Sequence, residues 1–394
     1  MTEPIINDRI IENLVDAILT QALNSRASDI HLEPRKNDLL VRFRIDGLLR
    51  NVETIPKDYK GVIISRVKIM ANLDIAEKRV PQDGRTTIKI GEKMGQDVDL
   101  RISTLPVMHG EKIVIRLLPQ NQDALTLEQL GFNTWGIELY RNFLDKAQGL
   151  ILITGPTGSG KTSTLYSSLL RVKDETLNII TVEDPIEYQL EDINQIQVHP
   201  KAGLTFASGL RSILRQDPDI IMVGEIRDAE TANIVFQSAL TGHLVFSTLH
   251  TNDTVSAVTR LIDMGVEPYL ISSAVIGIIA QRLVRLVCNN CKEEYIPDKA
   301  ILELLDLKQD REYKFVKSKG CANCFNTGYF GREGVFEILP VTEPIKELIH
   351  NRAKETEIRN KAKEEGLQTL KESAIEKLLQ GLTTVDELVR VIML

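Results

Sequence analysis

The chain has 394 residues, a formal net charge of −7 and a pI near 5.6, with 43% hydrophobic and 26% charged residues. That length implies two or three domains, and the acidic balance carries no basic footprint of the kind nucleic-acid binders show. The longest apolar stretch, 270–280, is broken by two serines and a glycine, and residues 1–5 carry no secretory signal, so no transmembrane segment and a reducing, cytoplasmic setting are expected.

Residues 8–24 place Ile10, Ile11, Leu14, Val15, Ile18, Leu19 and Leu23 at the spacing of an amphipathic helix. Ala27-Ser-Asp-Ile-His-Leu-Glu-Pro leads into a strand over 40–45, and Asp46-Gly47 marks a hairpin turn. A helix over 60–72, a second hairpin over 86–90 and 98–103, and a strand over 112–118 complete an α+β domain spanning 1–119. The polar stretch 120–123 opens a linker that runs to 134. From 135 onward, apolar strands at 150–154, 178–183, 220–224 and 244–248 alternate with helices, as in a parallel sheet covered on both faces. A cysteine section follows Gln281, and 343–394 reads as charged and helical.

The 150–154 strand runs straight into Gly155-Pro156-Thr157-Gly158-Ser159-Gly160-Lys161-Thr162, followed by Ser163 and a helix. Three glycines let consecutive N–H groups turn inward as an anion nest. Lys161 adds charge toward the β- and γ-phosphates, and the Thr162 hydroxyl is placed to ligate Mg²⁺. The sequence therefore predicts binding of a nucleoside triphosphate, ATP. Hydrolysis needs acids near the metal and a water. Glu183 and Asp184 end one strand, and Glu225 ends another after Gly224. Glu225 is assigned to magnesium and Glu183 to the water, with Asp184 as the rival. His250 near the end of the 244–248 strand is assigned as a γ-phosphate sensor, with His243 before that strand as a second candidate. Arg101 and Arg116 lie in strands; Arg116 interrupts an apolar one and needs an anionic partner, met equally by a neighbouring subunit's ATP or by a buried carboxylate. Arg211, Arg215, Arg227 and Arg260 surround the acidic strands. All four cysteines form two C-x-x-C pairs, Cys288/Cys291 and Cys321/Cys324, which points to a closed structural Zn²⁺ site with an insertion between the pairs.

Taken together, the phosphate loop, the Asp box at 181–187, an atypical Walker B segment from 210 to 225 and the His box at 242–253 resemble the bacterial secretion ATPase superfamily, the motors of type II secretion and type IV pilus assembly. The resemblance covers nearly the whole chain. It implies a PAS-like domain at 1–119, joined through 120–134 to a RecA-like ATPase domain at 135–394. The latter would hold a zinc element at about 286–332 and C-terminal helices at about 343–394. It implies a homohexamer in which Arg101 and Arg116 reach the neighbouring subunit's nucleotide, while Arg211, Arg215, Arg227 and Arg260 line the site or subunit contacts. The tetracysteine element resembles the assembly branch rather than the pilus-retraction branch. Expected partners are inner-membrane platform and assembly proteins, with no nucleic acid, and the expected location is cytoplasmic and peripheral to the inner membrane. Assembly members carry a further N-terminal docking domain, and this sequence begins just before the Ala27 motif. The rival functions are a nucleic-acid motor, a retraction motor and a non-catalytic nucleotide-dependent scaffold.

Overall fold

A computed structural model describes residues 8–90, 96–119 and 125–393. The chain divides into two compact units, 1–123 with the short stretch 321–327, and 124–320 with 328–394. The residues read as the absence of a leader, 1–5, and the polar stretch 120–123 lie outside the described residues.

The first unit runs α1 (Asp8–Asn24), β1 (Ala27–Pro34), β2 (Asp38–Ile45), β3 (Leu48–Pro56), α2 (Lys57–Met70), β4 (Gln82–Ile90), β5 (Gln96–Val107) and β6 (Gly110–Pro119). Its six strands form one antiparallel sheet in the order β3-β2-β1-β6-β5-β4. Alternation decides the faces. Ile30, Leu32, Val41, Phe43, Leu100, Ile102, Ile113 and Ile115 point inward and pack with Val15, Leu19, Ile63 and Val67 of the two helices. The opposite face carries charge. Residues paired in register across five strands read Arg44, Asp29, Arg116, Arg101 and Arg85, four guanidiniums to one carboxylate.

The second unit contains a seven-stranded sheet in the order β15-β12-β7-β11-β10-β8-β9. The strands are β7 (Gly149–Thr154), β8 (Ile179–Glu183), β9 (Asn194–Gln197), β10 (Ile220–Val223), β11 (Leu244–Leu249), β12 (Val275–Val287) and β15 (Tyr329–Pro340), with β13 (Lys292–Tyr295) and β14 (Phe315–Ser318) in a separate small hairpin. All neighbours in the large sheet are parallel except β12 and β15. Strands β7, β8, β10 and β11 are buried at every position. That is why they read as mostly apolar runs, since helices cover both faces.

Those helices are α3 (Thr134–Leu144), α4 (Lys161–Val172), α5 (Phe206–Ile213), α6 (Ala229–Leu240), α7 (Thr254–Asp263) and α8 (Pro268–Ala274). They are followed by α9 (Lys299–Leu304), α10 (Glu343–His350), α11 (Glu355–Glu364), α12 (Leu370–Leu379) and α13 (Val385–Leu388). Leu150 and Leu152 face one core, with α5, α6 and α7. Ile151 and Ile153 face the other, with α3 and α4. The sequence placed a break after Gln281, but β12 runs on unbroken to Val287 and builds a further core with α9, α12 and α13. No helix among the described residues is long and apolar enough to cross a membrane.

Candidate nucleotide site

Strand β7 delivers the chain to the loop, and α4 begins at Lys161 with Gly160 as its N-cap in the left-handed region, φ 91°. Glycine is required at Gly155 for a second reason, since a Cβ there would lie 2.5 Å from the Gln281 carbonyl oxygen, and Gly160 packs against the end of the Gln281 side chain, with a built Cβ 2.8 Å from Nε2. Gln281 is thus the wall against which the loop is built, and its Oε1 accepts from Thr164 Oγ1 at 2.8 Å. Pro156, Thr157 and Gly158 are exposed at the loop's crest, while Thr162 and Ser163 are half-buried in the first turn of α4. Lys161 Nζ donates to the Gly155 and Pro156 carbonyls at 2.7 and 3.2 Å. Burial, with help from the charge of Arg282, pulls the Lys161 ammonium down to about 8, against the opposing pull of Glu225. Ser159 Oγ is buried inside the loop with no hydrogen-bond partner. An orphaned hydroxyl, a lysine and a glycine cradle at a helix N-terminus fit the phosphates of a nucleotide.

Glu225 is pinned between neighbouring strands. Gly224 N donates to Val182 O at 2.8 Å, Ile226 N to Thr248 O at 3.0 Å, and Thr248 Oγ1 to Gly224 O at 2.7 Å. Its carboxylate meets Arg227 Nη2 at 2.5 Å and His250 Nε2 at 3.4 Å, and Arg227 Nη1 reaches Asp184 at 3.5 Å. Burial would push the Glu225 carboxyl up, but Arg227 and His250 together hold it below the ordinary range. Glu225, Arg227, His250 and Asp184 therefore form one cluster at the carboxyl edge of the sheet, where the phosphate loop also lies.

Several candidates sit elsewhere. Glu183 is buried beneath that edge and accepts from Tyr166 Oη, from Thr181 Oγ1 at 2.6 Å and from Gln195 Nε2 at 3.0 Å. Its carboxylate is held inside, and its rival Asp184 is the acid of this segment that joins Glu225 through Arg227. His243 precedes β11 and so lies at the opposite edge of the sheet, with Nδ1 2.9 Å from Ser238 O; six residues of strand, about 20 Å, separate it from His250. Within its own chain it lies away from the phosphate loop. Arg116 is not buried in an apolar strand: its side chain is 54% exposed on the charged face, and Asp29, a buried carboxylate, is its partner at 3.1 Å. Arg101 lies beside it in register. On α5, Arg211 pairs with Glu230 at 2.6 Å, while Arg215 bonds the Arg211 carbonyl just beyond the helix; Arg260 is exposed on α7. The sequence reading missed Tyr166, Gln281 and Arg282, which only the packing of α4 and β12 brings to the site.

The four cysteines converge. Their sulfurs all lie within 4.8 Å of one another, with Cys288 and Cys324 buried and Cys291 and Cys321 half-buried. Cys321 and Cys324 Sγ are 3.7 Å apart. A tetrahedron with 2.3 Å metal–sulfur arms has edges of about 3.8 Å, so the donor set fits zinc. The insertion expected between the pairs is β13, α9 and β14.

Comparison with known proteins decides the family. A family model described as type II/IV secretion system protein matches residues 6–390. The chain belongs to this family. Type II secretion system protein E of Pseudomonas aeruginosa is 49% identical over 385 residues, covering 98% of this chain and 76% of that one. Type IV pilus assembly ATPase PilB of Thermus thermophilus is 50% identical over 384 residues, covering 97% and 43%. The crystal structure of the pilus retraction motor PilT with bound ADP superposes with a TM-score of 0.64 at 26% identity, covering 95% of this chain and 96% of that one. The chain is a secretion-family ATPase with an α/β ATPase fold.

Proposed function

We propose that this ATPase is a Mg²⁺-dependent homohexameric motor that drives assembly of a type IV pilus or a type II secretion pseudopilus. The observation that carries the reading is the Glu225–Arg227–Asp184 and His250 cluster at the same sheet edge as the 155–163 loop. Backbone amides of the loop and Lys161 would hold the phosphates, and Thr162 with Glu225 would hold magnesium, which supplies charge neutralisation at the β- and γ-oxygens. With Glu183 committed inside, Glu225 and Asp184 are the acids placed to orient a water, and His250 lies beside them to report on the terminal phosphate. The register that sets Arg101 directly beside Arg116 on the charged face of the sheet supports the pair as donors to a neighbouring subunit's nucleotide. In this reading residues 1–119 form a PAS-like domain, 120–134 a linker and 135–394 a RecA-like domain stiffened by Zn²⁺ on Cys288, Cys291, Cys321 and Cys324. The motor would work in the cytoplasm against inner-membrane platform and assembly proteins. Identities of 49% and 50% to assembly-branch proteins, against 26% to the retraction motor, favour assembly over retraction.

The test is phosphate release per chain against protein concentration at saturating Mg-ATP, for wild type and Arg101→Ala. A shared site gives specific activity that climbs with concentration and is mostly lost in the variant. A flat profile with a silent Arg101→Ala would mean that each chain completes its own site, and the ring mechanism would fail.

A further inference from the structure

Strand β12 runs parallel to β7 with Ala280 opposite Thr154, so both chains leave the sheet at the same edge, one into the phosphate loop and the other into Gln281 and Arg282. The Gln281 carbonyl that abuts Gly155 also accepts from Arg282 Nη1, at 3.5 Å. From there the guanidinium reaches the loop after β11: Arg282 Nη2 lies 3.1 Å from Asn252 Oδ1 and 3.4 Å from Asn252 O. That loop is itself tied to the base of the phosphate loop, with Thr251 N donating to Thr154 Oγ1 at 2.9 Å.

Among the described residues, the hydrogen-bond acceptors of Arg282 are neutral oxygens, and two of the three contacts are long. A half-buried guanidinium with a five-donor fork is poorly served by such partners. The acids in its neighbourhood are committed elsewhere. Asp253 caps Ser256 N at 2.8 Å and pairs with Arg359 at 2.9 Å. Glu337 accepts from Thr254 Oγ1 at 2.6 Å, and from Thr254 N and Leu370 N. Burial accordingly holds the Arg282 guanidinium below its usual range, and its charge helps depress Lys161. Two cations lie near one glycine loop, and the carboxylates that offset them, Glu225 for Lys161 and Asp253 and Glu337 for Arg282, make no hydrogen bond to either among the described residues. That arrangement is costly by itself and favourable around a polyanion, whose oxygens match the guanidinium fork.

We propose that Arg282 is a phosphate-binding residue of the ATP site, acting in the same chain as Lys161 and trading its neutral acceptors on Asn252 for phosphate oxygens. Because Asn252 belongs to the His-box loop that also carries His250, this exchange would make the position of that loop depend on nucleotide. The proposal rests on the reading of the 155–163 loop as the ATP site.

The test is calorimetric binding of ATPγS and of AMP, each with Mg²⁺, to the full chain as wild type, Arg282→Ala, Arg282→Lys and Lys161→Ala. Loss of a charge-assisted bond to phosphate predicts about tenfold or greater weakening of ATPγS in Arg282→Ala, less than about twofold for AMP, and an intermediate value for Arg282→Lys. ATPγS affinity unchanged in Arg282→Ala while Lys161→Ala loses it would overturn the proposal. Equal losses of ATPγS and AMP would also overturn it, since they indicate a structural residue. ATPγS affinity unchanged in Lys161→Ala would instead sink the underlying assignment of the loop. Should Arg282→Ala not fold, Arg282→Gln, which can still bond Asn252, replaces it under the same criteria.

Discussion

Tyr166→Phe separates a structural Glu183 from a catalytic one. The buried Glu183 carboxylate has three side-chain donors: Tyr166 Oη, Thr181 Oγ1 and Gln195 Nε2. The tyrosine hydroxyl also accepts from Glu187 N at 3.3 Å, and its own proton is held firmly, first by burial and then by the neighbouring carboxylate. Phenylalanine removes one donor to a buried charge and strands one amide, a cost of about 1.5–3 kcal/mol. For domains of some 150–250 residues each kcal/mol shifts the melting midpoint by about 2–4 °C, so a fall of about 3–12 °C is expected. Differential scanning fluorimetry measures that fall, and steady-state phosphate release at 25 °C should show kcat within about fivefold of wild type. The reasoning is refuted by the reverse pattern, an unchanged midpoint with kcat reduced about 100-fold or more. That is the range lost with a general base, and it would return Glu183 to the chemistry.

Glu225→Gln keeps the shape of its side chain but loses its charge. Hydrolysis should drop by about 10²–10⁴-fold while ATPγS still binds, and a variant with undiminished turnover would remove Glu225 from the mechanism. Lys161, lowered to about 8, is charged below that pH and neutral above it, so kcat/KM should fall about tenfold between pH 7 and pH 9. A profile flat to pH 10 contradicts that. His243→Ala should leave kcat within about twofold of wild type, whereas His250→Ala should lower it measurably; equal effects of the two would question the opposite-edge placement. Treatment with a chelator should release zinc, expose four reactive thiols per chain and lower the melting midpoint; a midpoint insensitive to metal would argue against a structural site.

The parts of the molecule legible in sequence are those where chemistry and geometry are written in adjacent residues. The 155–162 loop, the mostly apolar strands and the paired cysteines are all local patterns. What was hidden depended on direction and on distant pairing. Glu183 and Asp184 are neighbours in a strand end, yet alternation sends one inward to Tyr166 and the other toward Arg227. His243 and His250 bracket one strand, and strand direction alone puts only the second at the phosphate edge, so that correction was within reach of the sequence. Arg116 shares its face with Lys112 and Val114 rather than with Ile113, Ile115 and Leu117, which period two reveals. Its carboxylate partner Asp29, 87 residues away, emerges only from the register of β1 on β6. Arg282 carried no local signal, since its meaning lies in β12 passing beside Gly155.

Strand β12 touches two places that the motifs treat as separate. Its 13 residues run without a break from the flank of β7 to Val287, and Cys288 follows immediately. At about 3.3 Å per residue, the six steps from Gln281 to Val287 measure close to 20 Å of extended backbone, paired with β15 through Arg285 and, past an irregularity, again at Val287. The cysteine cluster and the wall of the 155–162 loop thus lie at the two ends of this stretch of β12. One paired strand therefore joins them, and the irregularity between Arg285 and Val287 is where that strand can give.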